Sequence, residues 1–497
     1  MNTQRSLATA SLALAIASSF GFAACASNSD AQSARDAGSQ ADAGIAWDGV
    51  AADTLSSPDR TDDGSPHDAT QADARVSGAC GPASGRAASA VPTTGLCAPG
   101  GGTPSSITGT GPYDAGPWAW SCVGANGGAS AACSAPPALW TAATFNSHGV
   151  RGLNQPAVTP ASMADMAATG ANVVRVFAPV TLDAGTDSYA VDTTDVDNAV
   201  SYAKTLGYRV VIVFFPPENA NDTVPPQPYW TDKSLQASLV SNWVTVATRY
   251  TGNPVVAGYD LVNEPIASEG GTTAGASQWI SLATTMMTAI RTVDPDHVII
   301  FEPSPGAIPE AFSLLTAQVM APLLAFENVV YSVHDYEPYA ISSQGVGGGT
   351  VSETYPSPAT ADIGLVDKKT LADQLNPVVQ FAANFNLPVY VGEFSCVRWA
   401  PIAANGLPTA NNYVTDQISL FEAQGWSWNY HAWQQYQGWD PELDESLFYQ
   451  FPYDGGMPWD PPDSTAFVDF LNAAPTYRSE STDTMKLLES YYASNVH

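Results

Sequence analysis

The chain predicts an α/β protein: a (β/α)8 barrel over residues 138–497, preceded by a disordered tether and a small disulfide-stapled β module. Three observations predict it. Past Pro136-Pro137, short apolar runs alternate with longer helix-like stretches, the pattern of parallel strands joined by helical crossovers. Two of those apolar runs end abruptly in a glutamate, Glu264 and Glu393, and the carboxyl ends of parallel barrel strands face the ligand crevice. Ahead of the break, Cys80, Cys97, Cys122 and Cys133 crowd a segment of Gly, Ser, Ala and Thr.

In chain order, residues 1–25 read as a secretory signal. Arg5 supplies the positive charge, Leu7 to Phe22 an apolar, Ala-rich stretch, and Ala23-Ala24-Cys25 a processing site. The stretch is too short and too interrupted by Ser for a retained membrane helix. Phe22-Ala23-Ala24-Cys25 resembles a bacterial lipobox, whose cysteine is lipidated and becomes the new N-terminus, although Phe stands where Leu is usual. Ordinary cleavage after Ala26 is the alternative. The expectation is an exported protein, either a lipoprotein at the cell surface or outer membrane that touches the membrane only through Cys25, or a secreted one.

Residues 26–75 carry ten Asp against three Arg, with Trp47 as the only large aromatic. Such a segment cannot bury enough apolar surface to offset its ordering entropy, and its self-repulsion makes it an extended tether. In residues 76–137 the even cysteine count of an exported chain implies two disulfides, in a module too small to hold together by its core alone. Three pairings are open. Trp118 and Trp120 read first as that module's miniature core; with Tyr113, they are alternatively aromatics that stack on sugar faces.

Candidate barrel strands lie at 149–154, 172–177, 209–215, 255–262, 297–301, 329–333, 389–392 and 426–430. Candidate crossover helices lie at 195–205, 234–249, 277–292, 369–384 and 414–424, with a closing helix at 481–494. Glu264 then ends the fourth strand and Glu393 the seventh, on opposite sides of one barrel mouth. Two carboxyls so placed are what glycosidic bond cleavage needs, one neutral to protonate the leaving oxygen and one ionised to attack or to activate water. The formal net charge of −31 argues against nucleic acid as a partner, since nothing offsets phosphate repulsion, and is compatible with neutral polysaccharide. No metal-ligand spacing, phosphate loop or nucleotide fingerprint stands out, and hydrolysis by two carboxylates needs no metal or cofactor.

The motifs Asn263-Glu264-Pro265 and Gly392-Glu393-Phe394, with Arg175 in Asn172-Val173-Val174-Arg175-Val176-Phe177 and His334-Asp335-Tyr336 between them, resemble glycoside hydrolase family 5, the cellulase family. The resemblance covers residues 140–495. It implies a TIM barrel that works with retention of configuration, Glu264 as acid/base and Glu393 as nucleophile. Arg175 matches the cation that keeps the nucleophile ionised; the simpler reading is an interior Arg that merely pairs a barrel carboxylate. Asn263 matches the donor to the sugar 2-hydroxyl and the nucleophile, Tyr336 the residue that steadies the nucleophile, and His334 the one near the acid/base and substrate. The eighth strand should supply an aromatic platform under the sugar, for which Trp433 is favoured. His431 falls where the family's usual Trp belongs, as a further substrate contact.

Arg398 and Trp399 either line the cleft or form a salt-bridged loop. Cys396 reads as a buried thiol. Many family members carry a histidine after the third strand; here that end reads Phe214-Phe215-Pro216-Pro217-Glu218-Asn219, which puts contacts beside the cleavage point in doubt. The resulting expectation is an endo-acting, cellulase-like hydrolase of β-1,4-glucan. A β-mannanase on the same frame is the rival within enzymes, and a non-catalytic polysaccharide-binding surface protein the rival outside them.

Overall fold

The computed structural model describes residues 75–495 apart from 110–112, 114–116, 148, 155–157, 184–187, 216–227, 347–350, 435–437 and 450–473. The signal segment with Cys25, the tether to residue 74 and Pro216 to Asn219 lie outside the described residues.

Eight parallel strands close a barrel: β4 (Arg151–Asn154), β5 (Val173–Asp183), β7 (Arg209–Phe215), β8 (Val256–Asp260), β9 (Val298–Phe301), β10 (Val329–His334), β11 (Val389–Glu393) and β12 (Ser427–Tyr430). Neighbours hydrogen-bond in the order β4-β12-β11-β10-β9-β8-β7-β5, and pairing of β4 with β5 completes the circle. All eight overlap the candidate strands read from the sequence. Covered on both faces, such strands become near-continuous apolar runs, as in Arg-Val-Val-Ile-Val-Phe-Phe of β7. The largest difference is β5, which continues past Phe177 because Val180 to Asp183 pair antiparallel with β6 (Ser188–Val191) beyond the barrel.

Helices Thr194–Leu206, Lys233–Tyr250, Thr273–Arg291, Lys368–Phe385 and Thr409–Gln424 form the outer layer. Their ends follow local chemistry. The Asp232 carboxylate accepts the backbone N–H groups of Ser234 and Leu235, and Gly425 ends its helix in the left-handed region at φ 80°. The helix Asp483–Tyr492 closes the ring: Tyr492 Oη donates to the Gly152 carbonyl at 3.0 Å.

Alternation along each strand divides the barrel interior into two levels. Trp140 and Phe145 plug the N-terminal end against Val173, Val211, Val298, Ile300, Val330 and Tyr390. Two residues further along the same strands the inward positions turn polar, from Val173 to Arg175 and from Ile300 to Glu302. The apolar plug and the polar mouth are therefore consecutive layers of one packed core.

The small module holds β1 (Thr103–Pro104), β2 (Trp118–Val123) and β3 (Ala131–Ala135) in an antiparallel sheet. Its disulfides pair Cys80 with Cys133 and Cys97 with Cys122. Trp118 and Trp120 are buried with these cysteines, and Trp120 donates its indole N–H to the Leu96 carbonyl at 2.8 Å, so both belong to the core and present no face to a sugar. Tyr113 faces the barrel instead, its ring 5.5 Å from the Arg209 guanidinium at the start of β7, with Trp140 4.9 Å away. The module thus docks at the N-terminal end of the barrel.

Candidate active site

Arg175 organises the polar layer. Fully buried on β5, it donates from Nε to Asp260 Oδ2 (2.8 Å), from Nη1 to Glu393 Oε1 (2.7 Å), and from Nη2 to Asn263 Oδ1 (2.8 Å) and Glu302 Oε1 (2.7 Å). A planar fork with five donors suits four converging acceptors, which a lysine could not match. Burial opposes its charge, but Asp260, Glu302 and Glu393 outweigh that and hold the guanidinium above its ordinary range.

Glu393 ends β11 at a register shift against β10, where His334 rather than Asp335 becomes its partner. The preceding Gly392 has no room for a side chain: a Cβ there would lie 2.4 Å from Ser332 Oγ and 2.9 Å from His334 Nε2. Besides Arg175, the Glu393 carboxylate accepts from Tyr336 Oη at 2.9 Å, with His431 Nδ1 at 3.6 Å and His334 Nδ1 at 3.8 Å from the same oxygen. Burial alone would raise its pKa; His334, His431, Arg175 and the Tyr336 bond outweigh it and hold the carboxyl down at about 2.

Glu264 stands beyond the end of β8, four residues after Asp260, in a loop and not on the strand. Its φ of 46° is in the left-handed region, where a non-glycine residue is strained, and its N–H is held by Glu302 Oε2 at 2.6 Å. His334 Nδ1 lies 2.9 Å from its Oε1. Burial raises the Glu264 pKa, His334 opposes, and the charges of Glu393 and Glu302 raise it further. One oxygen of Glu264, one of Glu393 and one nitrogen of His334 all lie within 4.8 Å of one another. Those three are also the residues that could hold a metal ion, and they already hydrogen-bond one another or their neighbours.

The structure thus brings together Glu264, Glu393, Arg175, Asn263, His334 and Tyr336, with His431 beside them. Trp433, expected as the sugar platform, is fully buried and donates its indole N–H to the Ser162 carbonyl at 3.1 Å, so it packs in the barrel wall and offers no face to the cleft. Arg398 pairs with Glu445 at 2.6 Å and Trp399 donates to the Gln344 carbonyl at 2.8 Å; both are buried, which is the salt-bridged loop. Cys396 is a buried free thiol.

Two members of the network escaped the sequence reading. Asp260 and Glu302 are fully buried behind Arg175. Burial and the Glu302 charge raise Asp260 well above the carboxylate range, Arg175 notwithstanding, while burial of Glu302 is outweighed by His334 and Arg175, which lower it. The signal was present: Ile299-Ile300-Phe301-Glu302-Pro303 is another apolar run ending in a glutamate.

Comparison with known proteins agrees with this geometry. The sequence profile of Cellulase (glycosyl hydrolase family 5) matches residues 140–437. Endoglucanase 3 of Fibrobacter succinogenes is 25% identical over 264 residues, 47% of this chain and 38% of the relative. An endoglucanase of Paenibacillus polymyxa is 26% identical over 207 residues, 40% of this chain and 48% of the relative. The chain therefore spans less than half the length of either curated relative. Among solved structures, the endoglucanase Cel5A of Thermotoga maritima aligns over 60% of this chain and 93% of its own, at 18% identity and a TM-score of 0.47. With its barrel and buried carboxyl network in place, and the family profile running through both motif glutamates, the chain belongs to glycosyl hydrolase family 5.

Proposed function

We propose that this family 5 glycoside hydrolase cleaves β-1,4-glucan internally and with retention of configuration. The observation that carries the reading is the Glu264–Glu393 pair: their oxygens approach within 4.8 Å, while their surroundings bias one towards the proton and the other towards charge. Retention uses carboxyls about 5–5.5 Å apart, too close for a water between them and close enough for direct attack.

In the proposed cycle the ionised Glu393 attacks the anomeric carbon as Glu264 passes its proton to the departing glycosidic oxygen. The new bond is an ester between sugar and Glu393. Glu264, now a carboxylate, takes a proton from water as that water attacks the same carbon, restoring free Glu393 and the original configuration. Arg175 and Tyr336 stabilise the carboxylate each time it is released. The relatives named endoglucanase support β-1,4-glucan as the substrate. We also propose export and anchorage through Cys25, on the sequence of its processing site.

Reducing-sugar release and viscosity of carboxymethylcellulose, glucomannan and mannan test the proposal. Rapid viscosity loss with fastest release from the glucan is expected. Faster release from mannan overturns the substrate; binding to polysaccharide with no release from any overturns hydrolysis.

A further inference from the structure

The geometry points to His431 as the residue that sets the acid limit of the nucleophile: a neutral ring at working pH that, once protonated, lies as a cation against the carboxylate oxygen of Glu393. This rests on the nucleophile role proposed above and adds a residue whose own protonation governs that role.

His431 follows β12 directly. Its backbone N–H donates to the Phe394 carbonyl at 3.0 Å, which ties it to the residue after Glu393. Its ring meets Tyr336 at 6.4 Å and Trp439 at 5.9 Å, both edge-on, and Nδ1 sits 3.6 Å from Glu393 Oε2. At 9% exposure it retains a path to solvent protons, whereas His334 is 1% exposed.

The charged groups around it come from three other strands: Glu393 on β11, His334 on β10 and Arg175 on β5. Burial, His334 and Arg175 disfavour its cation, Glu393 favours it, and the balance lies below the ordinary histidine value. Glu393 itself is held at about 2. The Glu393 charge favours the His431 cation and that cation in turn lowers Glu393, so a proton taken up by the ring as pH falls leaves the carboxylate ionised. The imidazolium then competes with the anomeric carbon for the same oxygen, and attack weakens although the nucleophile has not been protonated. The acid limb of turnover belongs to His431, with the alkaline limb left to Glu264.

Two measurements on the full chain test this. The first needs no turnover: a carbon-13 and proton titration of the histidine rings, with the His431 signal identified by its loss in His431→Gln. In Glu393→Gln the His431 midpoint should fall, because the favouring charge is gone. An unchanged midpoint overturns the inference whatever the enzyme hydrolyses. The second follows kcat/KM against pH on a soluble aryl β-cellobioside for the wild type, His431→Gln and His431→Phe. Both variants should move the acid limb to lower pH and leave the alkaline limb in place, each unit of movement keeping about tenfold more activity at a fixed acidic pH. A residue that only packs would raise KM equally at all pH, and acid limbs unmoved in both variants overturn the inference. A wild type inactive on every β-glycan, but with the Glu393-dependent midpoint intact, would instead overturn the proposed function and leave the contact standing.

Discussion

Each residue of the polar layer is held by several partners, so single substitutions separate roles that proximity alone would blur. Glu393→Gly should abolish turnover of an activated aryl β-glycoside, yet leave space for azide to attack the face opposite the leaving group and give the α-glycosyl azide. Glu264→Ala should differ, because a good leaving group needs little protonation. The glycosyl-enzyme forms on Glu393, stalls without a base, and azide intercepts it as the β-glycosyl azide. Nuclear magnetic resonance reads both products, and exchanged configurations would exchange the roles. Arg175 makes a second prediction. Arg175→Met strips the cation from between buried Glu302 and Glu393 and should cost about 3–5 kcal/mol in denaturant unfolding. Arg175→Lys should recover part of that stability, but lacks the fork that meets four acceptors and should lose about a hundredfold or more in kcat. Wild-type kcat in the lysine variant would show that charge suffices.

Among elements, β8 and β9 share a network at the end away from the site. His297 Nδ1 lies 2.6 Å from Asp294 Oδ2, Tyr259 Oη donates to that oxygen at 2.7 Å, and His297 Nε2 lies 2.9 Å from the Asn253 carbonyl. Burial would raise the Asp294 carboxyl, but the bonds from His297 and Tyr259 hold it down at about 2. A depressed folded pKa contributes stability that is complete above the unfolded value of about 3.9 and is lost as pH falls towards the folded one. The Tm gap between wild type and Asp294→Asn should therefore be constant above about pH 4 and close below it. A gap that stays constant down to pH 2 would mean that the carboxylate's charge is not what binds the two strands.

Elements were also the most legible feature of the sequence, because a strand covered on both faces tends towards a continuous apolar run, as in β7 and β9, even though β4 and β12 mix polar residues into theirs. Boundaries told less: nothing in Leu261-Val262-Asn263 reveals that β8 stops at Asp260 and lets Glu264 enter from a loop. Of the polar layer, Arg175, Asn263, His334, Tyr336 and both motif glutamates were named from motifs. Glu302 follows β9 as a third glutamate behind an apolar run, and a two-carboxylate scheme assigns it no role. Trp433 was misjudged for a different reason. An indole in the barrel wall and one in the cleft have the same spacing from β12, and only the Ser162 carbonyl, distant in sequence, decides between them.

At the scale of the whole molecule, Cys25→Ser should release the protein from the membrane fraction if the anchor proposal holds, and unchanged fractionation would rule it out. The small module makes the last prediction. Its contact with the barrel runs through Tyr113 over Arg209, at the start of β7, while Glu393 closes the far end of β11 and Glu264 stands beyond the far end of β8. Arg209 also meets Trp140, whose ring belongs to the apolar plug, and donates to the Pro254 carbonyl. Among the described residues, the module thus braces the floor of the barrel. A cation–π contact of this kind contributes about 0.5–2 kcal/mol. Tyr113→Ala should therefore lower Tm by about 2 °C with kcat and KM on a soluble substrate unchanged. Removal of residues 1–137 should lower Tm at least as far, again without effect on turnover. An unaltered Tm in both variants would mean that the module hangs freely from the chain. A fall in kcat at temperatures where circular dichroism shows the barrel intact would mean that the floor and the mouth are coupled through the plug.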